Sequence, residues 1–332
     1  MLKNYIIITT INAPSAAILG FRTWPGWHIV VVGDRKTPAN WACEGVTFLS
    51  LAEQYRMFGD FSHAIPENTY TRKMLGYAYA IQQGATAIFE SDDDNLPYTH
   101  AAACIEAYLA DSKRTSGERR AGSSGWLNVY RLFGAPECWP RGFPIERIKD
   151  PLPEESQSQN FNPWSLVQFL ADEDPDVDAI YRLVSGKSVF FAREKRFILD
   201  AGTFSPVNSQ ATLWTQEMFP FLFLPLGVSD RVTDILRGYI ATAGIWAMGY
   251  SVAYASPIVY QRRNEHNLLR DFQQEIPLYE NAEAWCAKLR SIKARSASAF
   301  YTQALHLLER ENTFACNNLP AYTAFLDCCS LT

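Results

Sequence analysis

Ala85-Thr86-Ala87-Ile88-Phe89-Glu90-Ser91-Asp92-Asp93-Asp94-Asn95 sets an apolar run against three consecutive carboxylates, with Leu96-Pro97 directly after. Asp and Asn are poor strand residues, and a proline biases the residue before it away from the helical region. A strand ending at about Ser91 is therefore expected, with the carboxylates at its C-terminal end, the edge where open α/β sheets hold ligands. Clustered carboxylates repel one another unless a cation neutralises them, and hard divalent ions prefer such oxygens. Asp92 and Asp94 thus become candidate metal ligands. A solvated acidic turn is the plain alternative, and the rest of the chain has to decide.

The flanking segments favour a nucleotide-binding sheet. Tyr5 to Ile11 is a near-continuous apolar, β-branched run of the kind buried on both faces, and it ends in Thr9-Thr10-Ile11-Asn12. His28 to Val32 is a second such run, ending in Gly33-Asp34-Arg35-Lys36-Thr37-Pro38. Two strands with polar residues at their C-terminal ends open a nucleotide-type α/β sheet. Thr9, Thr10, Asn12 and Asp34 could meet a base or ribose, and Arg35 and Lys36 could meet phosphate. Val46 to Leu49 reads as a third strand, and Ser50 as the cap of a helix to about Phe58. Asn68 or Thr69 can cap a helix from Tyr70 to about Gln83, closed by Gly84. Arg72 and Lys73 fall in its first turn, where cations oppose the helix dipole; an anionic diphosphate would give them a reason to be there.

Further along, Asp111 to Gly125 is a polar, partly basic surface loop that could serve as a lid over a donor. Trp139-Pro140-Arg141-Gly142-Phe143-Pro144 is a stiff turn presenting the Arg141 guanidinium, suited to phosphate or carboxylate or to packing on Trp139. Lys149 to Asn162 is the expected flexible connection. Asp174-Pro175-Asp176-Val177-Asp178 imitates the start of a calcium loop, but Ala179 and Ser185 stand where Gly and Glu are needed, which excludes an EF-hand. Ala179 to Leu183 and Ser188 to Ala192 read as strands, and Pro206 to Thr212 as a polar loop. In Ser229 to Met248, Leu236, Tyr239, Ile240 and Ala243 share a helical face, which puts Asp234 in the first turn with Arg237 three residues on. A short strand is expected over Ser251 to Tyr254, followed by the polar run Gln261 to Asn267 with His266. From Asn281 the pattern is helical: Ala282 to Lys293, Ala297 to Glu309, and Leu319 to Leu326.

Composition sets the outer limits. The 332 residues are 48% hydrophobic and 20% charged, enough for a large core in one or two domains. A net charge of −5 without a basic run argues against nucleic acid as a partner. The seven cysteines form no Cys-X-X-Cys motif, so zinc ribbons and thioredoxin-type sites are unsupported. The opening Met1-Leu2-Lys3-Asn4 leads straight into a strand, and no apolar run could span a bilayer. The expectation is a soluble, cytoplasmic protein, with peripheral membrane association left open.

Taken together, Val31 to Pro38, Thr71 to Tyr77, Glu90 to Asn95, Trp139 to Gly142, Asp174 to Arg182, Asn208 to Thr212 and Val232 to Tyr239 resemble the STELLO-type glycosyltransferases. A more distant likeness, carried by the three-Asp strand end and Arg141-Gly142-Phe143-Pro144, runs to the reversibly glycosylated polypeptides, which are UDP-arabinopyranose mutases. The resemblance implies an α/β, GT-A-like (Rossmann-like) mixed sheet flanked by helices over residues 1–277, with a donor-binding half to about 150, an acceptor and catalytic half beyond it, and a helical extension over 278–332. It implies a nucleotide-sugar donor, UDP favoured, and a glycan or lipid-linked acceptor. Asp92, Asp94 and His266 would hold Mn2+ or Mg2+. Asp92, Asp93, Thr9, Thr10, Asn12, Asp34, Arg35, Lys36, Arg72, Lys73 and Arg141 would bind the donor. Asp234 would be the general base, with Asp230 as its alternative and Arg237 beside it. A nucleotide-sugar mutase and a non-catalytic nucleotide-sugar-binding protein are the rival readings.

Overall fold

The computed structural model describes residues 3–153, 159–263 and 267–331. Twelve strands occur among them: β1 (Asn4–Thr10), β2 (Trp27–Gly33), β3 (Val46–Leu49), β4 (Ala87–Ser91), β5 (Asn95–Pro97), β6 (Ser116–Gly117), β7 (Arg119–Arg120), β8 (Gln159–Asn160), β9 (Trp164–Glu173), β10 (Arg196–Leu199), β11 (Ala211–Thr215) and β12 (Ser251–Gln261). One mixed sheet runs β3-β2-β1-β4-β11-β9-β12-β10-β7, with β5 paired to β12. β3, β2, β1 and β4 are parallel; β11 runs against β4 and β9, so β9 and the parallel β12 point the same way as β4. Helices cover both faces, as apolar strands buried on both sides require. This is the mixed α/β sheet that the resemblance implied, and the carboxylate strand stops at Ser91 as its residues dictate.

Local signals that depend on near neighbours hold. Ser50 makes a reciprocal capping box with Glu53, although the helix continues past Phe58 to Ala64 through a kink at Gly59. Gly84, at φ +81°, turns the chain into β4. The helix expected from Tyr70 begins instead as a 3-10 turn, Tyr70–Arg72, without a side-chain cap, and becomes α-helical over Lys73–Gln82. Gly76 sits where an added Cβ would fall 2.5 Å from Ile7 Cγ2 and 2.8 Å from Val32 Cγ2, so this helix lies directly on β1 and β2.

Several other expectations are corrected. Ala179 to Leu183, read as a strand, is the helix Ala179–Val184, started by Asp178 Oδ1 accepting from Tyr181 N at 2.8 Å. Of Ser188 to Ala192 only Val189 bridges, to Glu173. The short strand at Ser251 runs on to Gln261 because a register shift between Ala255 and Val259 absorbs Pro257. Ser116–Gly117 and Arg119–Arg120 pair with β8 and β10, which fastens the expected lid to the far side of the sheet. Residue 277 lies inside the continuous helix Leu268–Leu289, so the expected division there falls within one element. The last two helices, Ala297–Arg310 and Leu319–Cys329, share the main core: Phe325 packs on Phe61 with ring centroids 5.6 Å apart, and Tyr301 donates to Phe223 O at 2.5 Å. No described helix is long and apolar enough to cross a membrane.

A buried charged knot sits at the centre. Glu90, on β4, accepts from Arg237 Nη1 at 3.0 Å and Nη2 at 2.7 Å, from Trp214 Nε1 at 2.8 Å, and from the Tyr77 hydroxyl. Arg237, on the helix Thr233–Ala247, is fully buried and lies over the Trp214 ring. Removing one partner leaves an uncompensated interior charge, so Glu90→Ala should lower stability by about 3–5 kcal/mol in urea denaturation. A loss below about 1 kcal/mol would show that the knot does not hold β4 to the helix layer.

Candidate active site

Because β1, β2, β4, β9 and β12 are co-directional, their carboxyl ends meet at one edge, and the antiparallel β11 starts there. The edge opens on a cavity of about 640 Å³ lined by Thr9 to Asn12, Gly33, Asp34, Lys36, Asn68 to Tyr70, Asp92 to Asp94, Gln210, Gln261 and Arg263, and by Arg141, Asp176, Asp230, Arg231 and Asp234. Carboxyl-end convergence of this kind is where open α/β sheets place ligands.

The three aspartates have separate environments. Asp93 Oδ2 is tied to β1, accepting from Thr10 Oγ1 at 2.5 Å and Asn12 Nδ2 at 3.0 Å. Asp92 Oδ1 accepts from Tyr70 Oη at 2.7 Å and Lys73 Nζ at 3.1 Å. Asp94 Oδ2 accepts from Gln261 Nε2 at 3.0 Å, while its Oδ1 is buried without a partner. Burial, then the nearby Asp92 charge, pushes the Asp94 carboxyl up to about 6. Burial also raises Asp92, against the pull of Lys73. A buried carboxylate oxygen with no donor, beside a second carboxylate, is a fit for a divalent cation. Among the described residues no set of three His, Cys, Asp or Glu side chains gathers into a complete metal shell, and His266 lies outside the described residues.

On the β1–β2 side, Thr37 Oγ1 donates to Thr10 O at 2.7 Å and accepts from Asp34 N at 2.8 Å, fixing both strand ends around the space between them. Thr9, Thr10, Asn12, Asp34 and Lys36 all border that space. The other basic residues expected at the donor are turned elsewhere. Arg35 pairs with Glu67 outside the cavity lining. Arg72 touches the cavity but is 1% exposed, its guanidinium held by Gln54, Ser62 O and Ile65 O at 2.9–3.1 Å. Lys73 is buried and donates to Ser91 O at 2.7 Å and Ser209 O at 3.2 Å as well as to Asp92. Their place in a first helical turn is explained by buried acceptors, and Lys73 serves the site by holding Asp92.

A second group of lining residues centres on Arg141, which forks to two carboxylates: Asp176 at 2.8 Å through Nε and Nη2, and Asp234 at 3.0 and 2.9 Å through Nη1 and Nη2. Burial alone would raise Asp176, but Arg141 and then Arg231 outweigh it and hold it at about 2. Asp234 does stand in the first turn of its helix, yet Arg237 does not reach it; Arg237 is taken by Glu90 inside the core. Asp230 Oδ1 accepts from Tyr70 N at 3.0 Å, and the carboxylate is exposed towards the cavity.

Tyr70, Asp176, Gln210, Arg231, Gln261 and Arg263 belong to the site without having been singled out by their chemistry. Asp176 was visible as part of a rejected calcium loop and of one motif of the resemblance, and Gln261 and Arg263 only as neighbours of His266.

No protein-family model matches the chain. Two Arabidopsis thaliana proteins are similar to it. "Probable glycosyltransferase STELLO2" is 29% identical over 275 residues, covering 78% of this chain and 36% of that protein, and "Probable glycosyltransferase STELLO1" is likewise 29% identical, covering 78% and 35%. The likeness implied by the motifs is therefore present along most of the chain, which spans about a third of the length of these curated relatives. Among solved structures, glucosyl-3-phosphoglycerate synthase from Mycobacterium tuberculosis, in complex with Mn2+, UDP and phosphoglyceric acid, matches with a TM-score of 0.46 at 10% identity, covering 85% of this chain and 78% of that one. TarS from S. aureus in complex with UDP-GlcNAc matches with a TM-score of 0.35 at 10% identity, covering 98% and 81%.

The Asp94 carboxyl makes a stability prediction. In the unfolded chain it ionises near pH 4, in the folded chain near about 6, so its charge lowers stability as pH rises through that window. Without divalent cations, Asp94→Asn should gain about 1–3 kcal/mol at pH 8 and nothing at pH 3.5, read by urea denaturation at both values. An equal effect at both pH values would contradict the burial of this charge.

Proposed function

We propose that the chain is a metal-dependent glycosyltransferase that takes a nucleoside-diphosphate sugar, UDP being the nucleotide the family likeness implies, and transfers its sugar to an acceptor hydroxyl. The observation that carries this reading is the partnerless, buried Asp94 Oδ1 beside Asp92, at the carboxyl edge of a nucleotide-type sheet. The names of the 29% identical relatives support the same reaction class.

Asp94 and one oxygen of Asp92 would hold Mn2+ or Mg2+, which when bound neutralises negative charge on the departing nucleoside diphosphate. The remaining roles fall to the chain itself. Thr9, Thr10, Asn12, Asp34 and Lys36 would cradle base and ribose, and Asp93 keeps the β1 end in place through Thr10 and Asn12. Lys73 and Tyr70 orient Asp92 through its Oδ1, leaving the second oxygen available. Two carboxylates could take the acceptor proton. Asp234 has both oxygens engaged by Arg141, whereas Asp230 has one held by Tyr70 N and faces the cavity. The free oxygen favours Asp230 as base, with the Arg141–Asp234–Asp176 bracket as the wall that positions it.

Two measurements test this. Calorimetric titration with UDP, GDP and CDP, with and without Mn2+, should give metal-dependent binding of UDP that is lost in Asp94→Ala; no binding of any of the three sinks the reading. Once a donor is found, Asp230→Asn should lower kcat by about 10²–10⁴-fold with UDP affinity kept within about twofold. Should Asp234→Asn lose that rate while Asp230→Asn keeps it, Asp234 is the base.

A further inference from the structure

The cavity lining after β12 and in the segment 229–232 carries arginines that nothing in the donor reading uses. Arg231 and Arg263 both line the cavity, and Arg182 stands behind them within electrostatic reach of both. Arg231 is satisfied, since its Nε donates to Glu275 Oε1 at 2.9 Å. The other two are not. Arg263 Nη2 donates to Gln261 Oε1 at 3.1 Å, but its Nε is buried without an acceptor. Arg182 Nη2 donates to Pro175 O at 3.2 Å, and its Nη1 is likewise buried without one. Neither guanidinium has a carboxylate within ion-pair distance among the described residues, because Arg141 holds Asp176 and Asp234, and Arg231 holds Glu275. Burial, then the like charges of Arg263 and Arg231, brings Arg182 down to about 9. Buried donors and concentrated positive charge are costly until an anion supplies acceptors, and the guanidinium fork matches phosphate oxygens in particular.

We propose that Arg263 and Arg231, backed by Arg182, form a phosphate-binding site that receives the acceptor, so that the acceptor is a phosphate-bearing hydroxyl compound. The base and ribose side lies at the ends of β1 and β2 and the carboxylates Asp92 and Asp94 at the end of β4; Arg263 stands on the far side of Asp94, two residues after the Gln261 that holds it, and Arg231 follows Asp230. An anion on Arg263 and Arg231 would bring a neighbouring hydroxyl to the Asp230 side of the cavity. The identity of the anion as part of the acceptor rests on the donor reading above; the phosphate site itself does not.

The test is calorimetric titration of inorganic phosphate into the free protein and into protein saturated with UDP and Mn2+. Phosphate should bind in both states, about tenfold or more weaker in Arg263→Gln, with UDP affinity changed less than twofold. Arg263→Lys, which keeps the charge and loses the fork, should fall between the two; thermal melts confirm that both variants fold. Phosphate that binds equally well to wild type and Arg263→Gln overturns the proposal. So does phosphate excluded by UDP together with weakened UDP binding in Arg263→Gln, since the arginines would then serve the donor. A protein that binds Arg263-dependent phosphate but no UDP keeps the anion site and removes the donor reading, so the two failures are distinct.

Discussion

The ion pair of Glu90 with Arg237 is the constraint on which the site depends. It buries one charge from the carboxylate strand and one from the helix Thr233–Ala247, and each is stable there only because the other is present. Trp214 on β11 and Tyr77 on the helix Lys73–Gln82 complete the donors to Glu90. Four elements are thereby pinned at one point, two residues before the aspartates begin. That pin holds the strand that carries Asp92 and Asp94 to the helix that carries Asp234, so that all three line one cavity with Asp230.

A second layer of paired charges surrounds the first and grades the carboxylates by availability. Asp176 and Asp234 have donors on both oxygens, and Asp93 on Oδ2. Asp92 is anchored by one oxygen, and Asp94 has one oxygen with nothing to accept from. Among the cations, Arg72, Arg141 and Arg237 are paired with protein acceptors, although Arg237 Nε has none, while Arg263 and Arg182 keep unsatisfied buried donors and have no carboxylate within ion-pair distance among the described residues. At the cavity, the unmet capacity of Asp94 Oδ1 and Arg263 Nε lies where a cation and an anion would supply it.

Features encoded by adjacent residues were legible. The apolar run ending in Asp92, the alternation of strands and polar ends in the first 38 residues, the capping box at Ser50 and the turn at Gly84 each need only neighbours a few positions away. The reading of Ala179 to Leu183 as a strand failed for a related reason: five apolar-rich residues carry no period long enough to separate helix from strand, and the Asp178 cap decided the matter. The buried acceptors of Arg72 and Lys73, Gln54, Ile65 O and Ser209 O, were not legible, because only the fold brings them beside these cations in the first helical turn.

The sequence by itself determined the class of the molecule: an α/β sheet whose fourth strand delivers three carboxylates to its edge, with a family likeness along most of the chain. Tertiary structure alone decided which charges are free. Asp94 and Asp92 differ in their partners, and Arg237 has a carboxylate folded against it where Arg263 has none among the described residues. Those partners lie 147 and 167 positions away for the Glu90–Arg237 and Asp94–Gln261 pairs. Side-chain chemistry is local to the sequence, but whether a buried charge is satisfied depends on which distant donors the fold brings within about 3 Å.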